Sequence, residues 1–318
     1  MPVYCFGSNE HHQVDPRAPL HLLEPRVIEN SSKIVAASWS QSVVSDALGV
    51  TTVRGLSLEN DSFDKSSVQC WLGQDEFVAV LLNDGTIRQL DDGATTERRY
   101  RLAAMNSRGE ILVVPGDNAT ELLLYSDVSA LFETSSTKEN QPHKLSLPFY
   151  PSTSSSPEHI SSISAGASHF LILASPSCRL FSLGDNRYGQ LGVNSTHVSS
   201  SSDHPSPQHV DAFDGLRISQ ISAGAFHSVV LTEGGQVYFF GSDQRGQCGG
   251  TGGGSEPALN DTIEEKQDGG GEENEANEIV QVCAFGESTI LRTRGGEIWV
   301  AGLINSDSSR RRKQFQHL

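Results

Sequence analysis

Short apolar runs separated by glycine turns recur along the second half of the chain. The stretch 221–250, ISAGAFHSVVLTEGGQVYFFGSDQRGQCGG, contains an apolar run, a Gly-x-x-His step and two further apolar runs. Gly234 and Gly235 lie between the second and third runs, and glycine readily adopts the positive φ of a tight hairpin turn. The pattern therefore predicts three short antiparallel strands followed by a polar loop.

The same unit occurs earlier in the chain, over 163–192, where Gly166 and His169 align with Gly224 and His227. A repeat of this length, made only of short strands and glycine turns, is typical of a β-propeller blade. The repeat therefore predicts an all-β fold, a β-propeller of about seven blades with six blades as the alternative.

Other copies of the unit are less regular. The stretch 282–302 keeps the glycine turn and has Thr289 at the position aligned with the histidines. Ser38 occupies the place of the first glycine in one of the weaker copies, which lie over 23–45, 68–90 and 101–114. The copies together predict that 1–318 form a single domain whose N-terminal half is degenerate.

The two ends of the chain bear on how such a propeller closes. Residues 3–7, VYCFG, match the third strand of a blade, whose hairpin is expected from the segment after Gly302. The segment 303–318 has no long β-prone run and is predicted to be an irregular tail. Because a propeller usually closes by completing one blade from both termini, we expect a shortened, incompletely closed propeller with a gap beside 3–7.

Two polar segments interrupt the pattern. Residues 250–279 contain many acidic and few apolar side chains, so they are predicted to be a disordered insertion, beginning with a flexible tether over Gly249–Gly254. The stretch 134–160 is rich in Ser and Pro and is predicted to be a polar linker.

Charge and cysteine content restrict the classes of partner and compartment. The net charge of −16 disfavours direct binding to nucleic acid and favours a basic, for example chromatin-associated, protein partner. The longest apolar run, 77–82, is too short to span a membrane, and the N-terminus lacks a signal-peptide pattern. Five dispersed cysteines indicate reduced thiols, so the predicted location is the nucleus or cytoplasm and not the secretory route.

His169 and His227 are the residues most suggestive of catalysis. Their repetition in successive copies indicates a structural hydrogen bond instead, and the threonine in the third copy supports this, because threonine can form such a bond but cannot act as a general base. Phosphate-loop, zinc-protease and nucleophile-elbow motifs are missing from the sequence. We therefore predict a protein that is not an enzyme, with no catalytic, cofactor-binding or metal-binding residues.

Polar loops after the third strands are the candidate protein-binding sites, because loops of this kind line one face of a propeller and Arg and Tyr are common at binding hot spots. The alternative is that they are solvated turns. Arg310–Lys313 allow two interpretations, a nuclear-localisation patch or a solvated tail. The candidate protein-binding residues are Asp185, Asn186, Arg187, Tyr188, Asp243, Gln244 and Arg245.

The pattern I-x-A-G-x-x-H…G-x-V-Y-x-x-G…G-Q-x-G resembles the regulator of chromosome condensation repeat family, and the compact layout resembles its short RCC-domain-containing proteins. The resemblance implies a propeller scaffold that binds proteins, in chromatin or chromosome segregation. It also implies an alternative, a guanine-nucleotide exchange factor for a small GTPase, although no segment matches the wedge that nucleotide exchange requires.

Overall fold

A computed structural model of the protein describes residues 4–8, 21–27, 33–38, 40–46, 48, 50–55, 64–133, 141–147, 156–193, 206–260, 275–303 and 311–317. The chain divides into two compact units, Met1–Lys144 and Leu145–Leu318, which we call unit 1 and unit 2. No helix in the described ranges is long and apolar enough to span a membrane.

Unit 1 contains four antiparallel sheets whose strands follow one another in chain order. The first is a pair and the next two have three strands. The last has four strands, of which β12 crosses the boundary between the units. The strands are β1 (Tyr4–Ser8) and β2 (His21–Val27); β3 (Lys33–Ala37), β4 (Gln41–Ser45) and β5 (Thr51–Gly55); β6 (Val68–Leu72), β7 (Ala79–Leu82) and β8 (Ile87–Gln89); and β9 (Tyr100–Met105), β10 (Ile111–Pro115), β11 (Glu121–Tyr125) and β12 (His143–Ser146).

Unit 2 contains three four-stranded antiparallel sheets, which we call blades A, B and C. Blade A comprises β13 (His159–Ala165), β14 (His169–Ser175), β15 (Leu180–Gly184) and β16 (Gln208–His209). Blade B comprises β17 (Ile218–Ala223), β18 (His227–Thr232), β19 (Val237–Gly241) and β20 (Gly254–Leu259). Blade C comprises β21 (Ile279–Phe285), β22 (Ser288–Thr293), β23 (Ile298–Leu303) and β24 (Arg311–His317).

Within the described ranges, helical structure is confined to short turns between strands. The helix α1 (Val128–Phe132) begins at Asp127, whose side chain accepts a hydrogen bond from the Ala130 amide, as an N-cap residue does. Single 3₁₀ turns occupy Lys65–Ser67, Asp211–Phe213 and Glu275–Asn277.

The second strand of each blade in unit 2 lies between its neighbours and carries much of the core. All six residues of β18 are buried, and so are the first six of β14. Aromatic side chains fill the space between sheets: Phe239 lies 5.6 Å from Phe315, and Phe213 lies 6.1 Å from Phe240. Burial of such large side chains is the main favourable contribution to a fold made of short strands.

The predicted fold class is confirmed. Six of the described sheets have three or four consecutive antiparallel strands, which is the strand order of β-propeller blades. Six is the smaller of the two predicted blade numbers. Strands β1 and β2 form an additional pair. Strand β1 was expected to lie beside a gap in the propeller, and its pairing with β2 gives it one neighbouring strand.

Three predictions about the polar segments were wrong in part. Within 303–318, the residues Arg311–His317 form β24 and pair with β23, because Phe315 is fully buried and anchors an otherwise polar strand. Within 250–279, Gly254–Leu259 form β20, paired with β19. Within 134–160, His143–Ser146 form β12 on the edge of the fourth sheet of unit 1. Residues 134–140, 148–155 and 261–274 lie outside the described part of the chain.

Candidate protein-binding face

The predicted site residues lie in two equivalent loops, each following the third strand of its blade. Asn186 and Asp243 come two residues after the strand and hold these loops closed from within. The Oδ1 atom of Asn186 accepts a hydrogen bond from the Leu191 amide at 2.9 Å, and that of Asp243 accepts one from the Cys248 amide at 2.8 Å. Burial raises the pKa of the Asp243 carboxyl. These two candidates therefore shape their loops.

Two buried glutamines, which the sequence analysis did not single out, fix the next part of each loop. The Oε1 atom of Gln190 accepts a hydrogen bond from the Tyr188 amide at 2.9 Å, and Gln247 bonds the Arg245 amide in the same way at 2.8 Å. The shared G-Q-x-G pattern was the signal that could have identified them. Because the glutamines hold the backbone, the side chains of Tyr188 and Arg245 are presented from rigid positions.

Arg187 and Tyr188 are the exposed members of the blade A loop. The Arg187 side chain is 71% exposed and donates from Nε to the Asp185 carboxylate at 2.7 Å. Tyr188 is 38% exposed, and its ring lies 5.2 Å from the ring of Phe226 in blade B. The two rings are tilted by 57°, an arrangement that aromatic pairs favour.

The blade B loop makes a different contact with blade C. Arg245 occupies the position equivalent to Tyr188, and its Nε lies 3.4 Å from the Glu287 carboxylate. Gln244, the residue equivalent to Arg187, is exposed. We call the contacts between blades A and B, and between blades B and C, the A–B junction and the B–C junction. All the predicted binding residues thus lie at or beside these two junctions.

Beneath each junction, a histidine of one blade bonds a hydroxyl of the next. The Nε2 atom of His169 lies 3.0 Å from the Ser228 hydroxyl, which donates to the Gln190 carbonyl at 2.8 Å. In the B–C junction, Nε2 of His227 lies 2.8 Å from the Thr289 hydroxyl, which donates to the Gln247 carbonyl at 2.8 Å. Each relay of imidazole, hydroxyl and carbonyl ties two blades together.

The hydrogen bonds define which ring nitrogen of each imidazole carries the proton. Because each hydroxyl proton is given to a carbonyl, the hydroxyl oxygen accepts from Nε2–H, so Nδ1 carries no proton. Both histidines are fully buried, and burial lowers the pKa to about 4 for His169 and about 3 for His227. Neutral, inaccessible imidazoles fit the predicted structural role and are unsuited to general acid–base catalysis.

The alignment of the third copy needs a correction. His169 pairs with Gly184, His227 with Gly241, and Ser288 with Gly302, so Ser288 and not Thr289 occupies the histidine position of blade C. Thr289 is instead the equivalent of Ser228, and it receives the Nε2–H of the preceding blade as that serine does. The glycine spacing misled the alignment because Gly286 is one residue later than its counterpart.

The Gly-x-x-His step has a steric cause. A Cβ atom added to Gly166 would lie 2.3 Å from Cε1 of His169, and one added to Gly224 would lie 2.1 Å from Cε1 of His227. The imidazole therefore occupies the space where a side chain would be. In blade C the equivalent pair is Phe285 and Ser288, so the large and small residues are exchanged.

Among the described residues of unit 1, Gln41 makes a related arrangement. Gln41 pairs with Gly55 as the histidines pair with their glycines, and its Oε1 accepts a hydrogen bond from the Phe77 amide of the next sheet at 2.8 Å. The Ser38 amide donates to the Gln41 carbonyl as the Gly166 amide donates to that of His169, which confirms the predicted place of Ser38. A glutamine thus links two sheets where unit 2 uses histidine.

The glycine run that precedes β20 is not the flexible tether predicted for Gly249–Gly254. A Cβ atom added to Gly249 would lie 2.3 Å from the Phe315 ring, and one added to Gly189 would lie 2.4 Å from the Gly254 carbonyl carbon. A Cβ atom added to Gly253 would lie 2.5 Å from the Gly241 carbonyl oxygen, whereas Gly252 and Gly254 have open space, so only parts of the run are closely packed. Among the described residues, no group of three or more His, Cys, Asp or Glu side chains is placed to hold a metal ion.

Family models match the region where these features are most regular. The Regulator of chromosome condensation (RCC1) repeat model matches residues 179–231, and a second model of the same description matches 218–247. Residues 179–247, from β15 of blade A to the end of β19 in blade B and the loop after it, therefore match RCC1 repeats, and the resemblance drawn from the glycine and histidine motifs is confirmed.

Curated relatives are similar over part of their length. RCC1 domain-containing protein 1 of Mus musculus, a short protein of this kind, is 26% identical over 260 residues, which are 76% of this chain and 60% of the relative. The ultraviolet-B receptor UVR8 of Arabidopsis thaliana is 37% identical over 90 residues, which are 28% of this chain and 19% of the receptor. The chain thus spans less than two thirds of the length of either relative.

Solved structures support the same fold. Prp20p of Saccharomyces cerevisiae superposes with a TM-score of 0.69 at 14% identity, covering 99% of this chain and 85% of Prp20p. Human WBSCR16 superposes with a TM-score of 0.60 at 15% identity, covering 99% of this chain and 92% of that protein. At these identities the likeness concerns the fold alone.

Proposed function

We propose that the protein is a non-enzymatic β-propeller scaffold that binds a protein partner through the loops of the A–B and B–C junctions. The observation that carries this proposal is the exposed Arg187 and Tyr188 beside Phe226, on a loop whose backbone is held from within. Tyr and Arg side chains on a rigid support are the usual hot spots of protein interfaces, because little conformational entropy is lost when they bind.

The buried chemistry of the junctions supports a structural role for the remaining polar residues. His169, His227 and Thr289 are fully buried and serve to join blades. His169 and His227 each bond a hydroxyl of the next blade through Nε2, while their buried Nδ1 atoms have no hydrogen-bond partner among the described residues. The exposed loop residues therefore account better for function than the histidines do.

A chromosomal partner is the finer part of the proposal. Prp20p, which shares the fold, is described in terms of its binding to Gsp1p and histones. The net charge of −16 also favours approach by basic proteins in the nucleus or cytoplasm. Nucleotide exchange on a small GTPase, which the family resemblance implies as the alternative, is the second candidate function.

Affinity capture from a cell extract, followed by quantitative mass spectrometry, tests the proposal. Tyr188→Ala should reduce recovery of a specific partner by roughly tenfold, the effect of removing one hot-spot side chain, while circular dichroism stays unchanged. Arg217→Ala is the matched control, because Arg217 is similarly exposed but lies beside Glu233, at the opposite end of the blade B strands.

Two results would contradict the proposed function. If the proteins recovered with the wild-type chain and with Tyr188→Ala are the same in identity and amount, the face is not the binding site. If the purified protein accelerates release of a fluorescent nucleotide from a small GTPase, the exchange-factor function replaces the scaffold function.

A further inference from the structure

We propose that the A–B junction recognises an acidic–apolar segment of its protein partner: a carboxylate bound by Arg187, next to an apolar side chain packed on Tyr188 and Phe226. This inference rests on the proposed function and specifies the chemistry of the partner. It differs from what the net charge alone suggests, which is a basic partner.

The side chains of Arg187 and Tyr188 keep hydrogen-bond donors that no described residue accepts from. Arg187 uses only its Nε on Asp185, so its two terminal amino groups have no partner within the described part of the chain. The Tyr188 hydroxyl likewise has no hydrogen-bond partner among the described residues. An acceptor with two oxygens in one plane, a carboxylate, matches the free edge of a guanidinium.

The exposed charge at the A–B junction is positive, which is opposite in sign to the net charge of the chain. The Arg187 side chain is 71% exposed, whereas its partner Asp185 is 16% exposed. A ligand approaching the junction therefore meets the guanidinium before the carboxylate. Because charges are screened over about 8 Å at physiological salt, this nearby group outweighs the distant acidic segments in a bound complex.

The apolar half of the site is preformed. The Tyr188 and Phe226 rings are 5.2 Å apart and come from adjacent blades, and the Tyr188 amide is fixed by Gln190. A partner side chain of the Leu, Ile or Phe type can cover these rings with little ordering of the site. The carboxylate should lie within one or two residues of it, since Arg187 and Tyr188 are adjacent in sequence.

Comparison with the B–C junction explains why we assign recognition of the partner segment to the A–B junction. There the equivalent positions hold Arg245 and Glu287, whose opposite charges lie 3.4 Å apart and are about equally exposed. The Arg245 side chain is 34% exposed, about half the exposure of Arg187, and neither of the positions equivalent to Tyr188 and Phe226 carries an aromatic ring. A partner carboxylate would therefore meet a less accessible guanidinium there, beside the carboxylate of Glu287.

A phage-displayed library of random peptides, selected on the purified full chain, tests the inference. Selection on the wild-type chain should enrich Asp or Glu within two residues of Leu, Ile or Phe. Arg187→Glu should switch the enriched charge to Lys or Arg, and should weaken a peptide selected on the wild-type chain by roughly tenfold or more.

Arg217→Glu is the control for charge reversal. Arg217 matches Arg187 closely: its side chain is 72% exposed, and its Nε donates to the Glu233 carboxylate at 2.5 Å. This variant should select the same acidic peptides as the wild-type chain. Tyr188→Ala should lose the apolar preference while both variants keep the wild-type circular dichroism.

The outcomes separate this inference from the proposed function. The acidic–apolar specificity would be overturned if the wild-type chain selected peptides without an acidic residue, or if Arg187→Glu selected the same peptides as the wild-type chain. It would also be overturned if no selected peptide depended on Tyr188 for binding. If the Tyr188→Ala variant still loses its cellular partner in those cases, the scaffold function stands. If partner capture does not depend on Tyr188, the proposed function fails as well.

Discussion

The A–B and B–C junctions share their buried hydrogen bonds and differ at their surfaces. In both, an imidazole donates a hydrogen bond to a hydroxyl, and this hydroxyl donates to the main-chain carbonyl of a glutamine. In both, a loop amide of one blade bonds a loop carbonyl of the next, from Ala167 to Ala225 at 3.2 Å and from Ala225 to Gly286 at 2.7 Å. Above these bonds, the A–B junction has an aromatic pair and the B–C junction an ion pair.

This difference separates the residues that hold blades together from those available for binding. A buried donor or acceptor that loses its partner costs about 1–3 kcal/mol, so each relay can vary only among groups that make the same bonds, such as Ser228 and Thr289. The surface positions carry no such constraint. The same loop geometry can therefore present Tyr188 at one junction and Arg245 at the next.

The largest expected effect comes from disturbing the glycine beneath a junction. Gly224→Ala should lower the free energy of unfolding by about 3 kcal/mol, because the added methyl would lie 2.1 Å from the His227 ring and 3.0 Å from the Gly286 carbonyl oxygen. Urea denaturation of the wild-type chain and the variant measures this change.

Blade C provides the control, because its residues equivalent to Gly224 and His227 are a large Phe285 and a small Ser288. If the clash with the ring is the cause, Gly224→Ala should cost about 2 kcal/mol less in a His227→Ser background, which mimics the pair of Phe285 and Ser288. Gly234→Ala in the same blade should be nearly neutral, because the nearest atom to its added Cβ is 3.9 Å away. Equal losses at Gly224 and Gly234 would show that the imidazole contact is unimportant.

The sequence predicted the blades well because their repeated pattern is enforced by packing. The apolar runs became central strands, and the Gly-x-x-His step became the contact of an imidazole with a bare Cα atom. Residues 221–250 were assigned correctly up to the third strand. Each of these features is local, so one stretch of sequence contains all the groups that determine it.

The outer strands were missed because a single side chain or backbone pairing holds them. Strand β24 has Phe315 as its buried anchor, and β20 contains Pro257, which an edge strand tolerates because its N–H side need not pair. Gln190 and Gln247 bond amides of their own loops and were overlooked although the G-Q-x-G pattern repeats. Thr289, in contrast, was misaligned because its partner His227 belongs to another blade. Sequence spacing alone cannot identify a contact of that kind.

A second prediction uses the two histidines of the junctions. Their folded pKa values of about 4 and about 3 lie below the ordinary value of about 6.5, so the unfolded chain takes up protons first as the pH falls. Stability is therefore complete above pH 6.5 and is lost as the pH decreases. Each histidine should contribute a loss of roughly 1–2 kcal/mol by about pH 5.5, measured by urea denaturation.

The variant that isolates this effect carries His169→Gln and His227→Gln together. Glutamine occupies the equivalent position at Gln41, keeps a side-chain N–H donor and does not titrate. The double variant should show a flatter dependence of stability on pH between 7 and 5.5 than the wild-type chain. Parallel curves would mean that folding does not lower the pKa of the two imidazoles.

The smallest expected effects lie at the surface of the junctions, where double-mutant cycles can compare the two pairs directly. The Arg245–Glu287 ion pair is about one third exposed, so solvent screening should limit its coupling energy to about 0.5 kcal/mol, decreasing further at high salt. The Tyr188–Phe226 pair should couple by about 1 kcal/mol with little dependence on salt, because ring contacts depend on shape and burial. Urea denaturation of the single and double alanine variants, at low and high sodium chloride, measures both couplings. If salt weakens the two couplings equally, the A–B junction is not the apolar surface that we assign to partner binding.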